Sequence, residues 1–275
     1  MIGLVTDSNA QLPAALIERY EIEVVPLGII IDGKPFREGV DLDVDDFYTR
    51  LAAGAQVSTS TPQPDAFIDA YESLAGRGAE AILSVHVGAE LSGTLGSARI
   101  ASRSCSVPVE LVDSGTASFA LGCCVWDAAE RLAEGATLDQ AADAARAVAG
   151  RVGNVFIVGG LDLARRGGRL APDVDSADGV PVLALEGGAM RSVGTAADAD
   201  DAVDVMAVYV RERVCDGNVR VGVGCGDAEV GDLAELLATR LAAVPGVVEV
   251  VRYTVGPSVG CHTGPGSVGA VFYER

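Results

Sequence analysis

Lysine is nearly missing from this chain of 275 residues. Lys34 is the only one, and apart from two histidines every other basic side chain is arginine. Acidic residues outnumber basic ones by 39 to 20, leaving a formal net charge of −19. A nucleic-acid surface needs clustered lysine and arginine to displace counterions from phosphates, so that class of partner is excluded. An acidic, lysine-poor composition fits a saline cytoplasm or a GC-rich genome, and composition does not separate the two.

Long apolar runs are missing as well. The longest, such as Val24 to Ile31, fall well short of the about 18 residues a membrane helix needs, so no integral membrane segment is expected. No basic segment or cleavage site precedes the first strand-like run, Ile2 to Val5, and a secretory leader is not expected. The six cysteines (Cys105, Cys123, Cys124, Cys215, Cys225, Cys261) show neither CxxC spacing nor a cluster with histidine. They are expected to be reduced, buried thiols of a cytoplasmic protein with no metal site. No GxxxxGK[ST] occurs, and no GxGxxG follows a strand. The glycines of Gly222 to Gly226 lie inside a strand pattern and lack the spacing, so no nucleotide cofactor is expected.

What is present is a globular pattern, 49% hydrophobic, with strands and helices in alternation. Strands are expected at Ile2–Val5, Val24–Ile31, Ala81–Val85, Val109–Val112 and Asn154–Val158. Helices are expected over 13–20, 44–53, 64–75, 93–102, 116–133 and 138–152. Strands alternating with helices imply a parallel sheet with right-handed crossovers. After about Gly160 the texture changes. An Arg/Gly-rich turn leads to a hairpin around Gly187-Gly188, then to helix, strand, helix, strand, a Gly-rich loop and a final strand. The expected fold class is therefore α/β in two domains. Residues 1–158 form a parallel-sheet domain, and residues 159–275 form a smaller α+β domain.

Three of the expected strands run into small polar residues: Thr6-Asp7-Ser8, Leu91-Ser92-Gly93-Thr94 and Asp113-Ser114. Ligands of open α/β sheets bind outside the carboxyl ends of the strands. Ser, Thr and Asp also cap helices, and at any one of these places a cap explains them. All three at one sheet edge, with the hydroxyl run VSTSTPQP at Val57 to Pro64, point to a site. Hydroxyls and free backbone amides suit a small anion, and the scarcity of cations favours a carboxylate over a polyphosphate. Within VSTSTPQP, Thr61 before Pro62 is expected to cap the next helix. Two further segments could serve the same site. GPSVGCHTGPGSVG, Gly256 to Gly269, is read as a specialised loop with His262 and Thr263 at its centre. Arg165-Arg166-Gly167-Gly168-Arg169 offers cations to an anionic ligand or an acidic partner. His86, at a strand end, reads as a satisfied core residue.

Ser92, Asp113 and His262 follow the chain order Ser…Asp…His of α/β-hydrolases, which makes a Ser/His acyl hydrolase the alternative function. The strained nucleophile turn needs GxSxG, however, and this sequence has AELSGT.

Six segments together resemble the DegV family of fatty-acid-binding proteins: VTDSNAQLP (5–13), the TS of VSTSTPQPDAF, LSGTLGSA (91–98), VDSGTASFALG (112–122), RRGGRL (165–170) and GCHTGPGSVG (260–269). The resemblance implies a non-enzymatic, cytoplasmic carrier that buries a single long-chain fatty acid between its two domains. It implies no cofactor, and as partner a fatty acid kinase that converts the presented carboxylate to acyl-phosphate. Carried over by motif, Thr59 and Ser92, with Ser60 and Gly93 beside them, would bind the carboxylate. His262, Thr263, Arg169 and Arg191 would lie at the pocket mouth or serve docking. The chain departs from the family pattern at Thr61, at Gly88-Ala89, in the acidic PDVDSADGVPVL and at Gly194.

Overall fold

A computed structural model describes residues 1–176, 179–214 and 217–275; Cys215 lies outside the described residues. In chain order the strands are β1 (Ile2–Asp7), β2 (Glu23–Val25), β3 (Gly28–Ile31), β4 (Lys34–Arg37), β5 (Val57–Ser60), β6 (Ala81–His86), β7 (Val109–Asp113), β8 (Gly153–Ile157), β9 (Val180–Glu186), β10 (Ala189–Ala196), β11 (Val219–Cys225), β12 (Val247–Thr254) and β13 (Val268–Glu274). The helices are α1 (Ala14–Arg19), α2 (Val44–Ala52), α3 (Pro64–Gly76), α4 (Thr94–Ser102), α5 (Phe119–Ala133), α6 (Leu138–Ala149), α7 (Leu161–Arg166), α8 (Ala199–Arg213), α9 (Gly231–Ala242) and α10 (Pro257–Thr263).

The first sheet, in the order β2-β1-β6-β7, is parallel throughout. Side chains along β1 and β6 alternate between two cores. Leu4, Leu83 and Val85 pack with α5 and α6, whereas Val5 and Ile82 pack with Phe67 and Tyr71 of α3. Burial on both faces explains why these strands read as unbroken apolar runs.

The second sheet is six-stranded, β10-β9-β8-β13-β11-β12, with only β11 and β12 parallel. Helices α8 and α9 cover one face, where Val203, Met206 and Leu237 meet Val182, Val221 and Phe272. From the other face, Val271 and Tyr273 join the core around α5. Every residue of α5 from Phe119 to Ala129 is buried, because the helix lies between two sheets. A third, antiparallel sheet, β4-β3-β5, packs with α2 and with Cys261 of α10. The molecule is mixed α/β, as its alternation implies, and among the described residues no helix is long and apolar enough to cross a membrane.

Several expectations need correction. The hydroxyl run is itself a strand. Val57 to Ser60 form β5 at a sheet edge, with Val57 and Thr59 turned inward and Ser58 and Ser60 exposed. An edge strand half in water tolerates hydroxyls that a core strand would not. Thr61 does not cap α3. Gln63 occupies the cap position, extended before Pro64, which is the proline at the helix start and lies two residues beyond Pro62. The strand near Asn154 is β8 and belongs to the second sheet, antiparallel to β13. Its partner comes at the far end of the chain, where local alternation carries no information about it. The segment Pro257–Thr263 is helical, with proline in the first turn and Gly264 at φ 75° ending it.

Candidate functional site

Four chain segments meet at the carboxyl end of the first sheet: β5, the loop after β6, the turn after α7, and α10. They place Thr59, Ser92, Arg169 and His262 around one cavity of about 90 Å³, together with Asn9 and Ser258. Thr59 arrives by strand alternation. His262 arrives on the last turn of α10, and its Nε2 lies 3.5 Å from Thr59 Oγ1. Nδ1 of His262 is buried with no hydrogen-bond partner among the described residues. With the proton on Nε2, the ring donates to Thr59. The Thr59 hydroxyl then remains free to donate to an acceptor in the cavity. Burial, reinforced by the nearby charge of Arg169, holds the His262 ring below the ordinary histidine range and keeps it neutral.

The RRGGR turn has a steric reason. A Cβ on Gly167 would fall 2.5 Å from His262 Nδ1, and Gly168 has φ 68°. The turn frees Arg169 to reach over the cavity, where its Nη2 donates to the Leu91 carbonyl beside Ser92. Ser92 Oγ lies 2.8 Å from Thr94 Oγ1 and accepts the Thr94 N–H at 3.3 Å, at the start of α4.

Other candidates fall elsewhere. Ser60 is exposed on the far side of β5, opposite Thr59. Gly93 is exposed at the cap of α4, against Thr61. Arg191 is exposed on β10. Thr263 is buried, donates to the Val259 carbonyl at 3.3 Å and lines a second cavity rather than the first. That second cavity, also about 90 Å³, lies against the second sheet and is walled by Phe156, Ile157, Tyr253, Val268 and Ala270.

Residues missing from the sequence reading complete the site. Asn9 accepts the Ser118 N–H at 2.8 Å and lies within 3.3 Å of Ser258 Oγ through its Nδ2, joining the starts of α5 and α10. Behind it, buried Glu38 accepts the Ser8 hydroxyl and the Ser258 N–H, the latter at 2.7 Å. Burial raises its pKa from the ordinary 4.5, against the pull of those hydrogen bonds. Ser118 has φ 59° and ψ −154°, a region that side chains rarely enter. This is why α5 starts at Phe119, three residues later than expected. Asn9 sits inside the VTDSNAQLP segment, and the left-handed Gln11 (φ 53°) marks the tight turn that follows it.

The three residues of the hydrolase alternative do not form a relay. Asp113 is exposed and accepts the backbone N–H groups of Ala89 and Gly115. Ser92 pairs with Thr94, and Nδ1 of His262, where an orienting carboxylate would bind, has no partner among the described residues. A hydrogen-bonded Asp7–His86–Ser84 chain does exist, with His86 3.0 Å from Asp7 and 2.6 Å from Ser84. It is fully buried and closed by Tyr71 at 2.9 Å, so His86 is a satisfied core residue. Among the described residues no group of three His, Cys, Asp or Glu side chains could hold a metal.

The comparisons agree along the whole length. A family model described as "Uncharacterised protein, DegV family" matches residues 1–275. The chain is 37% identical to the DegV domain-containing protein SCO2569 of Streptomyces coelicolor, covering 100% of this chain and 99% of that one. Its fold matches a structure described as fatty acid binding of a DegV family protein from Thermus thermophilus, with a TM-score of 0.92 at 29% identity, over 100% and 99% of the two chains. It also matches protein TM841 of Thermotoga maritima, described as revealing a fatty acid binding function, with a TM-score of 0.87 at 27% identity over 100% and 99%. The chain belongs to the DegV family.

Proposed function

We propose that this protein is a non-enzymatic carrier of a single long-chain fatty acid. The observation that carries the reading is the pairing of two adjoining cavities, one edged by hydroxyls and a guanidinium, the other walled by apolar side chains. A carboxylate in the first would receive hydrogen bonds from Thr59 and Ser92, with its charge balanced by Arg169. Charge-assisted bonds of this kind are the stronger class. An acyl chain in the second would be removed from water, the main source of affinity for such a ligand. The N-terminal unit then supplies the hydroxyl wall, and the C-terminal unit, together with β8, covers the chain. The similarity to proteins described as fatty acid binding supports the same ligand class.

The reading extends to a partner. A carboxylate held at the cavity mouth beside Arg169 is positioned for presentation to a cytoplasmic fatty acid kinase that makes acyl-phosphate from ATP. The nucleophile of this step is the carboxylate itself, which attacks the terminal phosphorus of ATP as ADP leaves, so the carrier need supply none.

Extraction of the purified protein into organic solvent, followed by mass spectrometry, tests the ligand. A co-purifying fatty acid, or uptake of added palmitate or oleate, is expected; absence of both would refute the reading. Acyl-phosphate formation by a fatty acid kinase that depends on the loaded protein tests the partner.

A further inference from the structure

We propose that Met190 and Leu185, with Ala117 and Val259, form a collar that makes affinity step up with acyl length instead of climbing smoothly. The inference rests on the fatty-acid reading above. These four side chains line both cavities, so a chain running from Thr59 and Arg169 toward Phe156 has to pass between them. They come from four places in the fold. Ala117 precedes α5, Leu185 lies near the end of β9, Met190 near the start of β10, and Val259 on α10. Leu185 and Met190 are register partners across the hairpin, which puts their side chains on the same face of the sheet.

The two jaws of this pair differ in side-chain branching, Leu185 being branched and Met190 not. The Leu185 N–H donates to Asn154 Oδ1 at 2.6 Å, and its carbonyl accepts Asn154 Nδ2 at 3.3 Å. Among the described residues β8 and β9 share one registered pair, Phe156 with Leu183. The Asn154 amide therefore stands in for ladder bonds and fixes where Leu185 sits. Met190 is likewise held through its backbone, and its side chain, 7% exposed, packs in a small core with Ala164, Ala171, Val174 and Leu183. Its N–H donates to the Arg169 carbonyl at 2.6 Å, and its carbonyl accepts the Ala171 N–H at 2.9 Å. Its unbranched thioether keeps three rotatable bonds and can swing aside for a methylene chain. A short acid ends before the collar and gains nothing from the apolar chamber. Beyond the collar, each further buried methylene strengthens binding about fourfold.

The test is displacement titration of the delipidated full chain with saturated straight-chain acids from octanoate to stearate. Wild type, Met190→Phe, Met190→Ala and the near-isosteric Met190→Leu are compared, with thermal melts confirming that each variant is folded. Wild type should show a break in affinity against chain length. Met190→Phe should weaken palmitate at least about tenfold while octanoate changes less than about twofold, since only the longer chain loses its buried methylenes. Met190→Ala should remove the break, and Met190→Leu should keep it. A palmitate-to-octanoate ratio unchanged in a folded Met190→Phe or Met190→Ala variant would overturn the collar alone. Failure of wild type to bind any acid would overturn the fatty-acid reading and the collar with it.

Discussion

His262 and Gly167 are in steric contact through a missing side chain: the imidazole Nδ1 occupies the space that a Cβ at position 167 would take. The ring that faces Thr59 is thus placed by a glycine on another segment. Gly167→Ala should displace the ring at a cost of about 1–3 kcal/mol, the usual penalty of overpacking. Thermal denaturation and fatty-acid titration read the two consequences, and unchanged values for both would show that the ring is placed by something else.

Strand alternation separates two adjacent hydroxyls. Thr59→Ala or Ser92→Ala should weaken retention of a fatty acid by about 1–3 kcal/mol, because a buried acceptor is left unpaired. Ser60→Ala should leave affinity unchanged, since Ser60 is exposed on the opposite side of β5. Calorimetric titration of the three variants distinguishes a site built on Thr59 from one built on the polarity of the whole run.

The depressed pKa of His262 has a definite sign in stability. Below the ordinary histidine value of 6.5 the unfolded chain takes up a proton that the folded ring resists. Stability from this group is therefore complete above that pH and declines as pH falls through the unfolded value, levelling off below the folded one. Urea unfolding at a series of pH values should show this decline in wild type and a flatter profile in His262→Gln.

Arg220 is the main buried cation of the second sheet. It donates to both carboxylate oxygens of Glu130, to Glu249 and to the Tyr273 hydroxyl, and it stacks on Trp126 at 4.0 Å. Its side chain is 5% exposed and that of Glu130 15%. Arg220→Met should cost at most roughly 3–5 kcal/mol, since it leaves the largely buried Glu130 to the more distant Arg275 at 3.4 Å. Adding Glu130→Gln should recover part of the loss, which denaturant midpoints of the single and double variants will measure.

Much of the first sheet was legible because Leu4, Val5, Ile82 and Leu83 are buried on alternating faces and so read as continuous apolar strands. That β8 is a strand is legible too, but not the sheet it joins, because its neighbours β13 and β9 lie further along the chain. Thr59, Ser92, Arg169 and His262 could be nominated from motifs, and the fold gathers them around one cavity. Ser60, Gly93, Thr263 and Arg191 carry equally suitable chemistry and lie outside it. Which face of β5 or α10 turns inward depends on pairing and packing partners that no local pattern encodes, and a slip of one residue would exchange Thr59 for Ser60. The role of Asn9 is hidden from local pattern for a related reason, since its partners Ser118 and Ser258 are distant in sequence.

Helix α5 belongs to two sheets at once, and this governs how the molecule comes apart. Neither sheet can detach without exposing a helix whose surface is apolar nearly all round, so no half has a stable existence with the other unfolded. The protein should melt in a single cooperative step, and its amides in α5 should exchange only through that global event. Trp126, the one tryptophan of the chain, sits on this helix, and its fluorescence will report the unfolding of the whole.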